Sequence, residues 1–160
     1  MINVDNFKDM KIEDKYNLML LLIEGQLKSE SDFIANLSNT SAIIKSALEE
    51  TNWVGFYLYK DGELVLGPFQ GLPACCRIEI GSGVCGTAAK LKATQRVANV
   101  HEFDGHIACD SASNSEIVIP IIKDDKLLGV LDIDSPVFDR FSKIDQTYLE
   151  KAVEILVKYL

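Results

Sequence analysis

The stretch "EIVIPIIKDDKLLGVLDIDS", residues 116–135, determines what kind of sheet this chain can form. Two apolar runs flank a polar Lys-Asp-Asp-Lys turn, a pattern that predicts an antiparallel hairpin. A first hairpin is predicted around Asp61-Gly62, which separates "NWVGFYLYK" from "ELVLGPF". Successive hairpins with helices at both ends of the chain imply an antiparallel sheet covered by helices.

Helical periodicity marks the two ends of the chain. Apolar residues recur at helical spacing over 11–28 and 32–50, with a break expected near 38–40. A last helix is expected from Ser142, where Ser142 and Asp145 form a capping box. We predict an α+β fold in one domain, 1–160, without an internal repeat. The shorter elements are a strand at 76–80, a helix at 83–93, a strand at 94–100 and an irregular loop at 101–115.

Charge and hydropathy exclude several classes of partner. The 160 residues carry a net charge of −8, whereas nucleic acids and anionic membranes need a basic surface. The longest early apolar run, residues 18–23, is far too short to cross a bilayer. We therefore expect a cytoplasmic protein that binds neither nucleic acid nor membrane. In a reducing compartment its four cysteines are core filler, metal ligands or reactive thiols rather than structural disulfides.

Strand alternation places candidate binding residues on one face. Trp53, Gly55 and Tyr57 share a face, so two aromatic rings flank a glycine that a ligand can approach closely. The alternative is a half-exposed aromatic face without a ligand.

Three carboxylates are expected at one end of the sheet. Asp132 and Asp134 share a strand face, and the hairpin brings Glu116 close to both. Such a cluster suits an ammonium group, which aromatic rings also attract. A solvated strand end is the alternative, and calcium is disfavoured because it prefers six or more oxygens in a loop.

The cysteines differ in their expected surroundings. Strand parity turns Cys75 toward the polar face and Cys76 toward the core. Cys85 begins a short helix, where backbone N–H groups can lower a thiol pKa, although buried packing is the alternative. Cys109 lies in the irregular loop between His106 and Asp110, where a purely apolar role is hard to defend.

Zinc is the remaining interpretation of the cysteines and histidines. His101 and His106 with Cys75, Cys85 and Cys109 supply enough nitrogen and sulfur ligands for a tetrahedral site. The paired-cysteine spacing of zinc ribbons is missing, however, so we expect neither a metal nor another cofactor.

Taken together, six segments give the chain a specific resemblance. Over about 52–135, where the six segments quoted below follow one another, the chain resembles the free methionine-(R)-sulfoxide reductase family, whose fold is a GAF domain. The resemblance implies a GAF-like central antiparallel sheet flanked by the N- and C-terminal helices. The segments are "NWVGFYL", "LGPFQG", "PAC", "GVCGTAA", "NVHEFDGHIACDSASNSEIV" and "GVLDIDS".

The resemblance also implies roles for individual residues. Cys109 matches the attacking cysteine, Cys75 the partner that forms a disulfide with it, and Cys85 the auxiliary thiol. Cys76 departs from the family pattern, which has one cysteine at this place. The residues that match the pocket for the free amino acid are Trp53, Tyr57, Glu116, Asp132 and Asp134.

The implied reaction is reduction of free L-methionine-(R)-sulfoxide to L-methionine through a sulfenic acid and an intramolecular disulfide. The implied partners are a thioredoxin-type dithiol and a second copy of the chain in a homodimer. The alternative function is a GAF-type sensory module that binds a small molecule, or senses redox state, without turnover.

Overall fold

The computed structural model describes residues 7, 9–105 and 111–160. These ranges contain four α-helices and six β-strands, and a short 3-10 helix spans Val100–Glu102. The elements are α1 Ile12–Ser29, α2 Phe33–Ala47, β1 Trp53–Lys60, β2 Glu63–Gln70, β3 Arg77–Glu79, α3 Gly83–Leu91, β4 Gln95–Val97, β5 Ser115–Lys123, β6 Lys126–Ser135 and α4 Lys143–Val157.

The strands form one antiparallel sheet in the order β3-β2-β1-β6-β5-β4. The β1–β2 and β5–β6 pairs confirm both predicted hairpins, and the α+β prediction is confirmed with them. The two edge strands, β3 and β4, are only three residues long. Beyond the end of β4, β5 continues through Pro120, which lacks a backbone N–H.

The terminal helices lie close to their predicted positions. Ser142 caps α4 through the predicted capping box with Asp145. The helix α2 runs without interruption through 38–40, so the predicted break there is wrong. Ser38 and Ser41 bond backbone carbonyls three or four residues earlier, which keeps their polar groups satisfied inside a continuous helix. No helix among the described residues is long and apolar enough to cross a membrane.

Apolar side chains on the two faces of the sheet form separate cores. The larger core joins α1, α2 and α4 to one face, with Phe56, Ile117 and Leu131 among its fully buried side chains. The smaller core lies on the opposite face beneath α3 and contains Trp53 and Tyr57. This division follows from strand alternation, which sends successive side chains of β1 to opposite faces.

The helix α3 lies close against the strand that precedes it. A Cβ atom on Gly86 would meet the carbonyl oxygen of Glu79, so only glycine allows this approach. The backbone also bonds here, with the Gly81 N–H donating to the Gly86 carbonyl at 2.8 Å. Cys85, the residue before Gly86 in α3, thereby lies in the smaller core.

Gly55 makes room for the aromatic side chains of the smaller core. A Cβ atom here would lie 2.6 Å from the Trp53 ring and would also clash with the Cβ of Phe69. The Trp53 ring stacks on Phe69 with a centroid distance of 5.1 Å and on Tyr57 at 5.9 Å. The close approach expected at Gly55 is therefore made by the protein's own aromatic rings.

Replacing Gly55 by alanine should disturb this stack. Because β1 is paired on both sides, its backbone cannot move to make room for the added methyl. Overpacking of this kind costs about 1–3 kcal/mol of unfolding free energy. The only tryptophan of the chain should report the change as shifted fluorescence emission, alongside a lower urea midpoint.

Gly25→Ala is the matched control, since nothing lies within 4 Å of a Cβ atom there and the residue is inside α1. It should stabilise the protein by about 0.5–1 kcal/mol. Wild-type emission and stability in Gly55→Ala would contradict the packing argument.

Candidate functional site

The pairing of β1, β6 and β5 aligns the predicted site residues in two rows. Trp53 pairs with Asp134, and Asp134 pairs with Glu116, so these three side chains share a face. In the next row of the same face, Asp132 pairs with Gly55. The predicted convergence of the three carboxylates on one sheet end is confirmed by this register.

A buried cluster forms where α3 meets this face. The Cys85 thiol donates to Oε1 of Glu116 across 3.8 Å. One ligand atom from each of Cys85, Glu116 and Asp132 lies within 4.8 Å of the other two. We call these three residues the Cys85 cluster. All are buried, with Glu116 5% and Asp132 6% exposed, so the predicted alternative of a solvated strand end is wrong for these two acids.

Burial and like charge both make ionisation of the cluster costly. Burial raises the pKa of Glu116 well above its usual value, and the charges of Asp132 and Asp134 raise it further. Burial likewise raises the pKa of Asp132 to about 6, although contacts with Cys85 and Glu116 oppose part of the rise. Near neutral pH the two carboxyls therefore tend to hold a proton that surface acids would release.

Cys85 does not have the activated thiol that its place in α3 suggests. Burial raises the pKa of Cys85 well above its usual value, and the charges of Asp132 and Glu116 add to the rise. The expected lowering by helix N–H groups is therefore wrong, because desolvation and neighbouring acids outweigh it. The alternative prediction of buried packing is confirmed, since the side chain is 4% exposed.

The loop that carries Cys75 covers the aromatic side chains. The Trp53 indole donates to the Leu72 carbonyl at 3.1 Å, and the Tyr57 hydroxyl donates to the Cys75 carbonyl at 3.0 Å. Trp53 and Tyr57 are thus nearly fully buried, which excludes the half-exposed aromatic face. Burial raises the pKa of Tyr57, and the nearby charge of Asp132 contributes to the rise. Tyr57 is therefore hydrogen-bonded to the Cys75 backbone and lies near enough to Asp132 for that charge to affect its pKa.

The predicted orientations of Cys75 and Cys76 are wrong. Cys75 is half-buried and packs against the smaller core, whereas Cys76 is exposed. The strand β3 begins at Arg77, so strand alternation does not extend to either cysteine. Among the described residues, the free thiols are those of Cys76 and Cys85.

Cys109, the predicted nucleophile, lies outside the described residues, as do His106 and Asp110. The segments on either side of 106–110 are held at the same end of the sheet as the acids. The Val100 N–H donates to the Asn114 carbonyl at 3.0 Å, and the Asn114 N–H donates to the Ser135 carbonyl at 2.8 Å. The Asn52 amide also donates to the Ser113 hydroxyl at 3.0 Å.

His101 is not among the described residues that lie close enough together to share a metal ion. His101 is exposed, its Nε2 lies 2.9 Å from the Asn114 side-chain oxygen, and its ring contacts Phe138 edge-on. Within residues 9–105 and 111–160, the group close enough to share a metal ion is the Cys85 cluster. One thiol and two carboxyls give a different donor set from the site of two histidines and three cysteines that the sequence suggested.

Sequence reasoning missed Phe69, which completes the aromatic stack. Phe69 pairs with Gly55, but the β1–β2 register shifts by one residue between Gly55 and Tyr57. Counting back from the Asp61-Gly62 turn without this irregularity places Pro68 opposite Gly55 instead. The aromatic side chain of Phe69 was the available sign that it belongs to the stack, but the register shift between β1 and β2 hid its position opposite Gly55.

The arrangement can bind a small cation and supply a proton. The Cys85 cluster and Asp134 offer negative charge beside an aromatic face, which favours an ammonium group. The raised pKa values of Glu116 and Asp132 favour a proton shared between them, and such a proton can pass to a bound acceptor.

Known proteins share this fold over most of the chain. A family model described as the GAF domain matches residues 35–156. The free methionine-R-sulfoxide reductase of Escherichia coli is 54% identical over 84% of this chain and 81% of its own length. That of Saccharomyces cerevisiae is 43% identical over 98% of this chain and 91% of its own length. The structure of fRMsr of Staphylococcus aureus in complex with substrate has 54% identity and a TM-score of 0.87, covering 91% of this chain and 95% of that one. The predicted GAF fold is confirmed.

Asp132→Asn should stabilise the protein near neutral pH. The folded carboxyl has its pKa raised from 3.8 to about 6, so its ionised form is disfavoured in the folded state. That destabilisation is fully present above pH 6 and disappears as the pH falls toward 3.8. At pH 7.5 we expect a gain of about 1–3 kcal/mol in the free energy of unfolding, measured by urea denaturation.

The gain should shrink steadily between pH 6 and pH 4. Asp104→Asn, at an exposed position, is the control for the substitution itself. If Asp132→Asn is less stable than the wild type at pH 7.5, the carboxylate is well solvated or paired, and the argument fails.

Proposed function

Because the chain belongs to the free methionine-R-sulfoxide reductase family of GAF domains, we propose that it reduces free L-methionine-(R)-sulfoxide to L-methionine. The observation that carries the proposal is the meeting of Glu116, Asp132 and Asp134 beside Trp53 on one sheet face. A cavity that binds a free amino acid needs anionic groups for the ammonium, and this face supplies them.

The acids and the aromatic face bind different ends of the substrate. The α-ammonium is held by Glu116, Asp132 and Asp134, where it offsets the repulsion between the carboxylates. The methyl and sulfur end lies against Trp53, whose ring offers an apolar, polarisable surface. A methionine inside a polypeptide has no free ammonium, so this division selects the free amino acid.

Cys109 is the nucleophile of the first step. Its thiolate attacks the sulfoxide sulfur while the sulfoxide oxygen accepts a proton from the enzyme. The bond between the substrate sulfur and its oxygen breaks, and a bond forms between that oxygen and the Cys109 sulfur. Methionine leaves with an electron pair on its sulfur, and Cys109 is then a sulfenic acid. The substrate sulfur gains two electrons, and the Cys109 sulfur loses them. Val100 and Asn114, which flank the 101–113 segment, support this role. Val100 bonds to Asn114, and Asn114 bonds to Ser135, which is next to Asp134 in the chain.

The carboxyl pair of Glu116 and Asp132 supplies the proton of that step. Both groups have raised pKa values, so one proton stays on the pair near neutral pH. Because the two groups titrate together, we assign the proton to the pair rather than to either residue. Loss of this proton also strengthens the attraction between the pair and the bound ammonium.

Cys75 resolves the sulfenic acid. Its thiolate attacks the Cys109 sulfur, a sulfur–sulfur bond forms, the sulfur–oxygen bond breaks, and the oxygen leaves as water after protonation. Two observations support Cys75 over Cys76. Cys75 lies on the aromatic face that borders the acids, and it is not one of the free thiols, whereas Cys76 is exposed and free.

Cys85 is a hydrogen-bonding thiol rather than an attacking one. Its raised pKa keeps the proton on sulfur, and the thiol donates to Glu116. We assign it the auxiliary role of holding the Glu116 carboxyl in place.

A dithiol of the thioredoxin type then reduces the Cys75–Cys109 disulfide and becomes a disulfide itself. This partner and the homodimer stay predictions from the resemblance, and the cytoplasmic location stays a prediction from the sequence.

Turnover of free methionine sulfoxide tests the proposal directly. Purified protein is incubated with dithiothreitol and a mixture of the R and S sulfoxides of L-methionine. It should consume the R epimer only, as measured by chromatography that separates the two epimers. Cys109→Ser should reduce the rate to background, because the nucleophilic sulfur is gone. Cys76→Ser is the matched control and should keep the wild-type rate. Binding of the sulfoxide without any turnover would favour the sensory module instead.

Peptide mapping tests the resolving thiol. Protein treated with one equivalent of the R sulfoxide, without external reductant, should give a peptide that joins Cys75 to Cys109. Cys75→Ser should still release one methionine per chain, because attack precedes resolution, but it should stop after that turnover. A dominant linkage from Cys109 to Cys76 or Cys85 would refute the assignment of Cys75.

A further inference from the structure

The Cys85 cluster has the composition of a transition-metal site. It joins one thiol to two carboxyls, drawn from α3, β5 and β6, with the three ligand atoms within 4.8 Å of one another. The separation of 3.8 Å between Cys85 Sγ and Glu116 Oε1 fits two ligands of one tetrahedral ion. Such an ion lies about 2.3 Å from sulfur and about 2.0–2.2 Å from a carboxylate oxygen.

A second observation is that one oxygen atom of the cluster lacks a hydrogen-bond donor among the described residues. The Oδ1 atom of Asp132 is buried, and among the described residues it has no hydrogen-bond partner. A buried carboxylate oxygen without a donor is costly, so this atom is available to a positively charged ligand. The Asp132 side chain contributes a ligand atom to the cluster with Cys85 and Glu116.

We propose that Cys85, Glu116 and Asp132 bind a divalent cation of the zinc type, which inhibits the enzyme by occupying the place of the substrate's ammonium group. The binding is independent of the reaction, whereas the inhibition rests on the proposed function. On binding, the cation replaces the thiol proton and the proton shared by Glu116 and Asp132, and both protons pass to solvent. The three side chains fill three positions of a tetrahedron and leave the fourth to water.

The donor set selects against magnesium and calcium. Both are hard cations that require six or more oxygen ligands, and magnesium keeps most of its water. Zinc and cobalt accept a thiolate together with carboxylates at low coordination number. The site therefore discriminates by ligand type as well as by charge.

Cobalt binding to the fully reduced, desalted protein tests the site without any substrate. Titration with Co²⁺ should produce a thiolate-to-cobalt charge-transfer band that saturates at one equivalent and disappears on addition of Zn²⁺. A large excess of Mg²⁺ should leave the band unchanged. Cys85→Ser should abolish the band and weaken Zn²⁺ binding by at least about 10- to 100-fold, the loss seen when only an outer partner of a metal ligand is changed.

Three further variants separate this site from the other thiols. Cys76→Ser and Cys109→Ser should keep the band, since neither residue belongs to the cluster. Asp132→Asn, which is expected to remain folded and stable, should weaken Co²⁺ binding. A band that survives in Cys85→Ser, or that disappears in Cys76→Ser or Cys109→Ser, would overturn the proposal.

Inhibition is measured in single turnovers, because dithiothreitol itself binds zinc. Zn²⁺ at ten times its Kd should raise the sulfoxide concentration for half-maximal rate about tenfold and leave the maximal rate unchanged. A lower maximal rate at saturating sulfoxide would refute competition with the ammonium. If Co²⁺ binds but no sulfoxide is reduced, the proposed function fails and the metal site stands. If sulfoxide is reduced but no cobalt band forms, the metal site alone fails.

Discussion

The register between β1, β6 and β5 is the constraint on which the candidate site depends. It places Trp53, Glu116 and Asp134 in one row and Asp132 in the next, all on the face beneath α3. A shift of one residue in β6 would send Asp132 into the larger apolar core and leave Ile133 facing Cys85. The same alternation that fills the larger core with aliphatic side chains therefore gathers the acids on the other face.

Burying two carboxyls beside a thiol costs stability that the rest of the fold has to supply. The raised pKa values of Glu116, Asp132 and Cys85 are three expressions of that cost, because desolvation is the largest cause of each. A bound cation removes part of it, so the folded protein is predisposed to bind one. Opposite this face, α1, α2 and α4 pack on the sheet, and the apolar burial of the larger core compensates for this cost. Binding capacity and stability are thus assigned to different faces of one sheet.

Much of this arrangement could be predicted from the sequence, because turns and strand alternation are local signals. They were sufficient for both hairpins and for the shared face of the acids. The rest depended on contacts between distant segments. The exposure of Cys76 depends on where β3 begins, and the pKa of Cys85 depends on acids contributed by two other strands. Phe69 was concealed because the strand irregularity moves it by one position.

The shortness of the two outer strands has a consequence for how the molecules behave at high concentration. Each outer strand exposes only a three-residue length of backbone for pairing with a neighbouring chain. Pro120 further removes a donor from the part of β5 that β4 leaves uncovered. Sheets of neighbouring copies therefore have few free backbone groups through which to pair edge to edge. Short edge strands of this kind protect against fibrous aggregation.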